Sequence, residues 1–184
     1  GIIIPPTKIM EAGVINEPIL RLILQNVRAP RETGGDIRAQ LGANLVGSRR
    51  MNEIVENHSL DAVTQFFDEL LDYTERWTQS EILKLPKGVY RAEGYRDSNG
   101  FDDEPVKIAV AVHIGDGYAR LDVTGSSPQQ VGPLNATRST TFASIALVIK
   151  SLIDPRVLVN EGFYRRLEVV GPDDTVLTAR WPAA

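Results

Sequence analysis

The hydrophobic period of this chain changes once, at Pro86-Lys87-Gly88, and that change limits the fold more than any other feature. Before it, apolar residues recur every three to four positions, as in helices that bury one face. After it, in "PVKIAVAVHI", Val106, Ile108, Val110, Val112 and Ile114 alternate with Lys107, Ala109, Ala111 and His113, as in a half-buried strand. The expected class is therefore α+β: N-terminal helices followed by a mostly antiparallel sheet carrying one further helix. The expected division is a helical region over 1–86 and a β-rich region over 87–184. A chain of 184 residues is long enough for one good core.

In the helical part, Asn16 reads as an N-cap, with Glu17 and Pro18 in the first turn. Ile19, Leu20, Leu22, Ile23, Leu24 and Val27 form the apolar face, and Pro30 ends it. Gly34-Gly35 reads as a break. A second helix then places Ile37, Leu41, Leu45, Ser48, Met51 or Asn52, and Val55 on one side. Gly42, Ala43 and Gly47 gather on another side. A helical glycine costs about 1 kcal/mol relative to alanine, which suits a place where another backbone comes close. Ser59 is expected to cap a third helix with Asp61 in its first turn. Its stripe is Leu60, Val63, Phe66, Phe67, Leu70, Leu71, Tyr73 and Trp77.

In the β part, "VYRAEGYRD" is a strand candidate and Gly115-Asp116-Gly117 a hairpin signal. "YARLDVTG" returns with Ala119, Leu121 and Val123 on one face. Asn135 is placed to cap a helix over about 136–153. "RRLEVVGPDDTVLTA" is expected to form two short strands around Gly171-Pro172-Asp173-Asp174.

Composition narrows the chemistry. The net charge of −4 gives no basic stripe for a nucleic acid, and no such partner is expected. The absence of cysteine excludes disulfides and thiolate metal sites and fits a cytoplasmic location. No apolar run approaches the ~20 residues of a membrane helix, so no membrane partner is expected. The longest, Phe142 to Ile153, carries Ser144, Lys150 and Ser151. Opening at Gly1 and ending in "RWPAA", the chain reads as a piece cut from something longer.

His58 and His113 belong to no HxH or HExxH pattern, and no metal site built from this chain alone is expected. There is no GxGxxG opening a helix, no P-loop and no GxSxG elbow. Two stretches remain. Asp36, Gln40 and Asn44 form a polar row at four-residue spacing, with Arg38 and Arg49 near the other edge of the apolar stripe. The row is either a site or a half-exposed edge packed on a neighbour. In "TGSSPQQVGPLNAT", Gly125 and Gly132 permit positive φ, while Ser126, Ser127, Gln129 and Asn135 offer neutral donors and acceptors. Ending at a helix N-terminus, this loop is a candidate substrate or anion cradle. Equally, it is a strand-to-helix turn whose Ser and Asn satisfy their own backbone. Asn160 and Gly162 read as turn chemistry.

Taken in order, the IPP opening, GD-x-RAQ-x-x-AN, TGSS-x-Q-x-x-GP-x-NA and VN-x-G make the chain resemble the hydantoinase B/oxoprolinase family. The family's members act on cyclic amides such as hydantoins and 5-oxoproline, with relatives in acetone and acetophenone carboxylases. The resemblance implies part of the hydrolytic B component of an ATP-dependent cyclic-amide hydrolase. It implies a hydantoinase A-type ATP-binding subunit or domain as partner, together with the rest of its own B-type subunit. ATP and a divalent metal are implied for the complete complex, with no cofactor bound by this chain alone. The matching positions are Asp36, Arg38, Gln40 and Asn44 on the helix, Gly125, Ser126, Ser127, Gln129, Gly132, Pro133 and Asn135 in the loop, and Asn160 and Gly162 in the turn. The alternative is a structural or assembly module of a related acetone- or acetophenone-carboxylase-type complex, with no substrate contact of its own.

Overall fold

The computed structural model describes residues 4–182. The chain divides into two compact units, Gly1–Thr64 and Gln65–Ala184.

The first unit opens with a hairpin, β1 (Met10–Glu11) against β2 (Val14–Ile15). Ala12 and Gly13 between them both have positive φ, 49° and 81°, as a two-residue turn matched to strand twist requires. α1 (Glu17–Leu24) is capped as expected, Asn16 Oδ1 accepting from the Ile19 amide at 3.4 Å, and Leu20 is its buried residue. α2 (Pro30–His58) starts on a proline, whose missing N–H costs nothing in a first turn. It runs without interruption through Gly34-Gly35, where the sequence suggests a break. Gly34 is buried instead. A β-carbon there would meet Leu24 of α1 at 3.4 Å and the Arg38 guanidinium at 3.3 Å, so this glycine lets the helices approach. A β-carbon at Gly42 or Gly47 would meet nothing within 4 Å, so neither serves a tight core. The expected apolar face of α2 is also open: Leu45 is 58% exposed, with Val46, Met51 and Ile54 exposed beside it. Ser59 ends α2 at φ 71°, and its Oγ accepts from the Ala62 amide at 3.4 Å in the first turn of α3 (Leu60–Ile82).

In the second unit, the remainder of α3 precedes a four-stranded sheet: β3 (Gly88–Arg96), β4 (Val106–Ile114), β5 (Ala119–Asp122) and β6 (Leu167–Val170), in that order. The first three are antiparallel, and β6 runs parallel to β5. The connection from β5 to β6 holds α4 (Arg138–Leu152) and the single turn α5 (Glu161–Tyr164). The fold is thus α+β with a mostly antiparallel sheet. Ile114, Ala119, Leu121 and Val123 on the sheet pack with Ile145 and Ile149 of α4, Phe163 of α5 and Ile82 of α3. This is the expected alternation of β4, with Val110, Val112 and Ile114 facing the helix.

Elsewhere the structure departs from the expected pattern at three places. α3 leaves Phe66, Phe67 and Tyr73 exposed and buries Thr74, Thr78, Glu81 and Ile82. Threonine is tolerated there because each hydroxyl bonds back one turn: Thr74 Oγ1 donates to the Leu70 carbonyl (2.9 Å) and Thr78 Oγ1 to the Thr74 carbonyl (2.8 Å). The cap of α4 is Thr137, whose Oγ1 accepts from the Thr140 amide, and not Asn135. The second closing strand is absent; beyond β6 the chain makes one isolated bridge among the described residues, Thr175 with Pro128.

Candidate functional site

After Val123 the chain leaves β5 but stays attached to β4 through two serines. Ser126 Oγ accepts from the Ala109 amide (3.0 Å) and donates to the Ala109 carbonyl (2.9 Å). Ser127 accepts from the Lys107 amide through Oγ (2.9 Å) and donates its own amide to the Lys107 carbonyl (2.9 Å). Two hydroxyls and one amide thus extend the ladder where the strand has ended. Gly125 and Gly132, both at φ 95°, supply the bends between which this can happen.

The rest of the loop is fastened to the segment after β6. Gln129 donates its amide to the Asp174 carbonyl and accepts through Oε1 from the Arg180 amide, each at 2.8 Å. Asn135 bridges the loop's own neck: Oδ1 accepts from the Gln130 amide, and Nδ2 donates to the carbonyls of Gln130 and Gly132. Ala136 donates to the Val176 carbonyl at 2.7 Å. The side chains of Ser126, Ser127, Gln129 and Asn135 are therefore all directed at the chain's own backbone. Arg138, first residue of α4, adds a clamp: its guanidinium donates to the carbonyls of Val169 and Gly171 and to Asp173, lowering the Asp173 carboxyl below its usual range.

Asn160 and Gly162 form a second such joint. Asn160 Oδ1 accepts from the Gly162 amide (3.0 Å), and its Nδ2 donates to Thr74 of α3 (3.1 Å). A β-carbon at Gly162 would lie 2.1 Å from the Leu71 carbonyl oxygen, so α5 touches the backbone of α3 directly. Arg165 and Arg166, just beyond, pair with Asp72 and Glu75 of the same helix. No hydrogen bond joins this turn to the Ser126–Asn135 loop among the described residues. Asp36, Arg38, Gln40 and Asn44 lie on α2 in the first unit, all exposed; among the described residues Arg38 bonds only the Gly34 carbonyl one turn back. His58 ends α2, exposed.

The loop also borders a cleft that no sequence motif marks. The face of the sheet away from α4 carries Arg91, Ala111 and Asp122 in one cross-strand row, Ala111 being paired with both neighbours. The next row holds Glu93 and Ala109. Small residues in the middle and long polar ones at the sides leave a cleft of about 420 Å³, with Thr124 completing its rim. Hydrogen bonds from Thr124, including its amide at 2.8 Å, hold the Asp122 carboxyl below its usual range; partial burial opposes this, and His113 and Arg91 reinforce it. The signal lies in the polar half of each strand's alternation, but only the register brings Arg91 and Asp122 to one level.

Residues 1–184 match the family model described as hydantoinase B/oxoprolinase. The chain is 34% identical over 187 residues to the B-type subunit of a putative D-/L-hydantoinase from Pseudomonas sp. (strain NS671), covering 96% of this chain and 32% of the relative. The ATP-dependent caprolactamase from Pseudomonas jessenii superposes with a TM-score of 0.81 at 30% identity, over 100% of this chain and 32% of that one. A nucleotide-free acetone carboxylase shares the fold, with a TM-score of 0.82 at 21% identity over 94% of this chain and 24% of that one. The chain thus spans about a third of the length of the curated relatives it matches.

Proposed function

Because the chain belongs to the hydantoinase B/oxoprolinase family, we propose that it is part of the hydrolytic B component of an ATP-dependent cyclic-amide hydrolase in the cytoplasm. The substrate class is hydantoins, N-methylhydantoin or 5-oxoproline-type lactams. The partners are a hydantoinase A-type subunit or domain that handles ATP, and the rest of the B-type subunit. The observation that carries the reading is the family match over every residue of the chain. The names of two relatives, one a B-type part of a hydantoinase and the other an ATP-dependent caprolactamase, support the same reaction class.

In this reading the amide is first activated by phosphoryl transfer from ATP. Water then adds to the carbonyl carbon, the ring C–N bond breaks as the nitrogen takes up a proton, and a second water releases phosphate from the resulting acyl phosphate. The divalent metal implied for the complex does not fit the residues described. Asp72, Glu75, Glu81, Asp154 and Asp173 are each paired with an arginine or lysine, and no group of three or more His, Cys, Asp and Glu is placed for a metal among the described residues. Ser126, Ser127, Gln129 and Asn135 act as positioning residues, holding the loop to β4 and to the segment after β6. Asp36, Gln40 and Asn44, exposed on α2, are the candidates for direct contact with substrate or with the rest of the site.

The test is ring opening by the complete complex with its A-type partner and ATP. Asp36→Asn and Asn44→Ala should lower turnover while leaving thermal stability unchanged, because both side chains are exposed. Turnover at the parental level in both variants would remove the α2 row from the site.

One observation favours a second role for α2, as an assembly surface. Its exposed Leu45, Val46, Met51 and Ile54 accompany open space at Gly42 and Gly47. Gly42→Leu should then weaken co-purification of the A-type and B-type parts. Full assembly with the leucine in place rules this role out.

A further inference from the structure

The outer face of the sheet is mostly neutralised by its own ion pairs. Lys107 meets Glu93 at 2.8 Å, and Arg120 meets Glu168 at 2.7 Å. Arg91 makes no ion pair among the described residues, although it stands in the same cross-strand row as Asp122. Two strand spacings, about 10 Å, separate the backbones of these two residues. Ala111 lies between them and does not fill the gap. Thr124 holds the Asp122 carboxylate from one side, and a carboxylate with about four lone-pair sites still accepts from an incoming donor on the cleft side. The cleft of about 420 Å³ thus has Arg91 on one wall, beside a Glu93 already paired with Lys107, the Asp122 carboxylate on the other wall, and a floor of alanine. A single cation or a single anion satisfies only one wall. A molecule with both charges satisfies the two together.

We infer that this cleft binds a small linear molecule bearing a carboxylate at one end and an ammonium group at the other, the carboxylate on Arg91 and the ammonium on Asp122. The guanidinium offers paired N–H donors to a carboxylate, and the Asp122 carboxylate accepts from the ammonium. The chemical class rests on the function proposed above. When water opens a lactam, one of the substrate classes proposed above, the carbonyl carbon becomes a carboxylate and the ring nitrogen leaves as an amine that takes up a proton, whereas a hydantoin would leave a neutral ureido group instead. The lactam product is a linear amino acid with its charges separated by the former ring. The cleft is then a product site, and it sorts products by ring size because the two walls are fixed by strand register. The apolar methyls of Ala109 and Ala111 face the methylene chain between the charges.

The experiment is calorimetric titration of the 184-residue chain with 4-aminobutyrate, 5-aminopentanoate and 6-aminohexanoate, beside hexanoate and hexylamine of matched length. One of the amino acids should bind saturably, and the singly charged compounds about tenfold more weakly or less. Arg91→Gln should weaken the amino acid about tenfold and leave hexylamine unaffected. Asp122→Asn should weaken the amino acid likewise and leave hexanoate unaffected, with circular dichroism confirming the fold of both. Absence of saturable binding by any amino acid, or unchanged affinity in folded Arg91→Gln, overturns the inference. Its failure is separable from that of the proposed function. If the full complex opens cyclic amides while the amino acids do not bind, the product site is wrong and the reaction stands. If they bind through Arg91 and the complex opens no cyclic amide, the site stands and the reaction is wrong.

Discussion

Ser126 replaces a strand residue for Ala109: one hydroxyl accepts from the Ala109 amide and donates to its carbonyl, at 3.0 and 2.9 Å. Backbone groups of β4 that would otherwise lack partners beyond β5 are satisfied by a side chain. Ser126→Ala removes both bonds. The expected loss is about 1–3 kcal/mol of stability, measured by denaturant unfolding, since a half-buried donor and acceptor are left together. Ser126→Gly should cost at least as much, because it adds chain freedom.

Gly162 and Gly42 should respond in opposite directions to the same change. At Gly162 a methyl group meets the Leu71 carbonyl at 2.1 Å, so Gly162→Ala forces α5 off α3. A loss of about 1–3 kcal/mol or more is expected. At Gly42 a methyl meets nothing within 4 Å inside a helix. Gly42→Ala should therefore stabilise the chain by about 0.5–1 kcal/mol. Paired thermal melts check both signs.

The identity of the α4 cap is testable by helix-end exchange. Thr137→Ala should cost about 1 kcal/mol and speed amide exchange of Thr140. Asn135→Ala should leave the Thr140 amide protected and instead expose the Gln130 amide, which Asn135 holds at 2.8 Å. Faster exchange at Thr140 in the Asn135 variant would return the cap to Asn135.

Acid should reveal Asp154. Hydrogen bonds from the Arg156 side chain and amide pull its carboxyl from 3.8 down to about 2. A carboxyl lowered in the folded state favours folding above its unfolded value, and that contribution fades as pH falls toward the folded value. The stability difference between the parent chain and Asp154→Asn should be constant above about pH 5. It should shrink from pH 4 toward pH 2. A difference that widens on acidification contradicts this arrangement.

The class of fold is legible because the hydrophobic period carries it: the alternation through Val106–Ile114 marks the strand and its buried side. What misleads is the assumption that apolar means buried. α3 buries Thr74 and Thr78, whose hydroxyls are satisfied within their own helix, and exposes Phe66 and Phe67. Gly34 suggests backbone freedom, whereas the helix uses its missing side chain. The loop residues are legible as hydrogen-bonding residues, but not the direction of their bonds, because Ala109, Asp174 and Arg180 are distant in sequence. Arg91 and Asp122 are hidden for the same reason: two strands and a register separate them.

The position of β3 at the end of the sheet has a practical consequence. All nine of its residues are exposed, and among the described residues its far side has no neighbouring strand in the sheet order β3-β4-β5-β6. A rim of unused amides and carbonyls is a template for another strand. Arg91 and Arg96 on it are like charges that oppose the pairing of two such rims. Neutralising them should turn a dispersed preparation into one whose particle size grows with concentration.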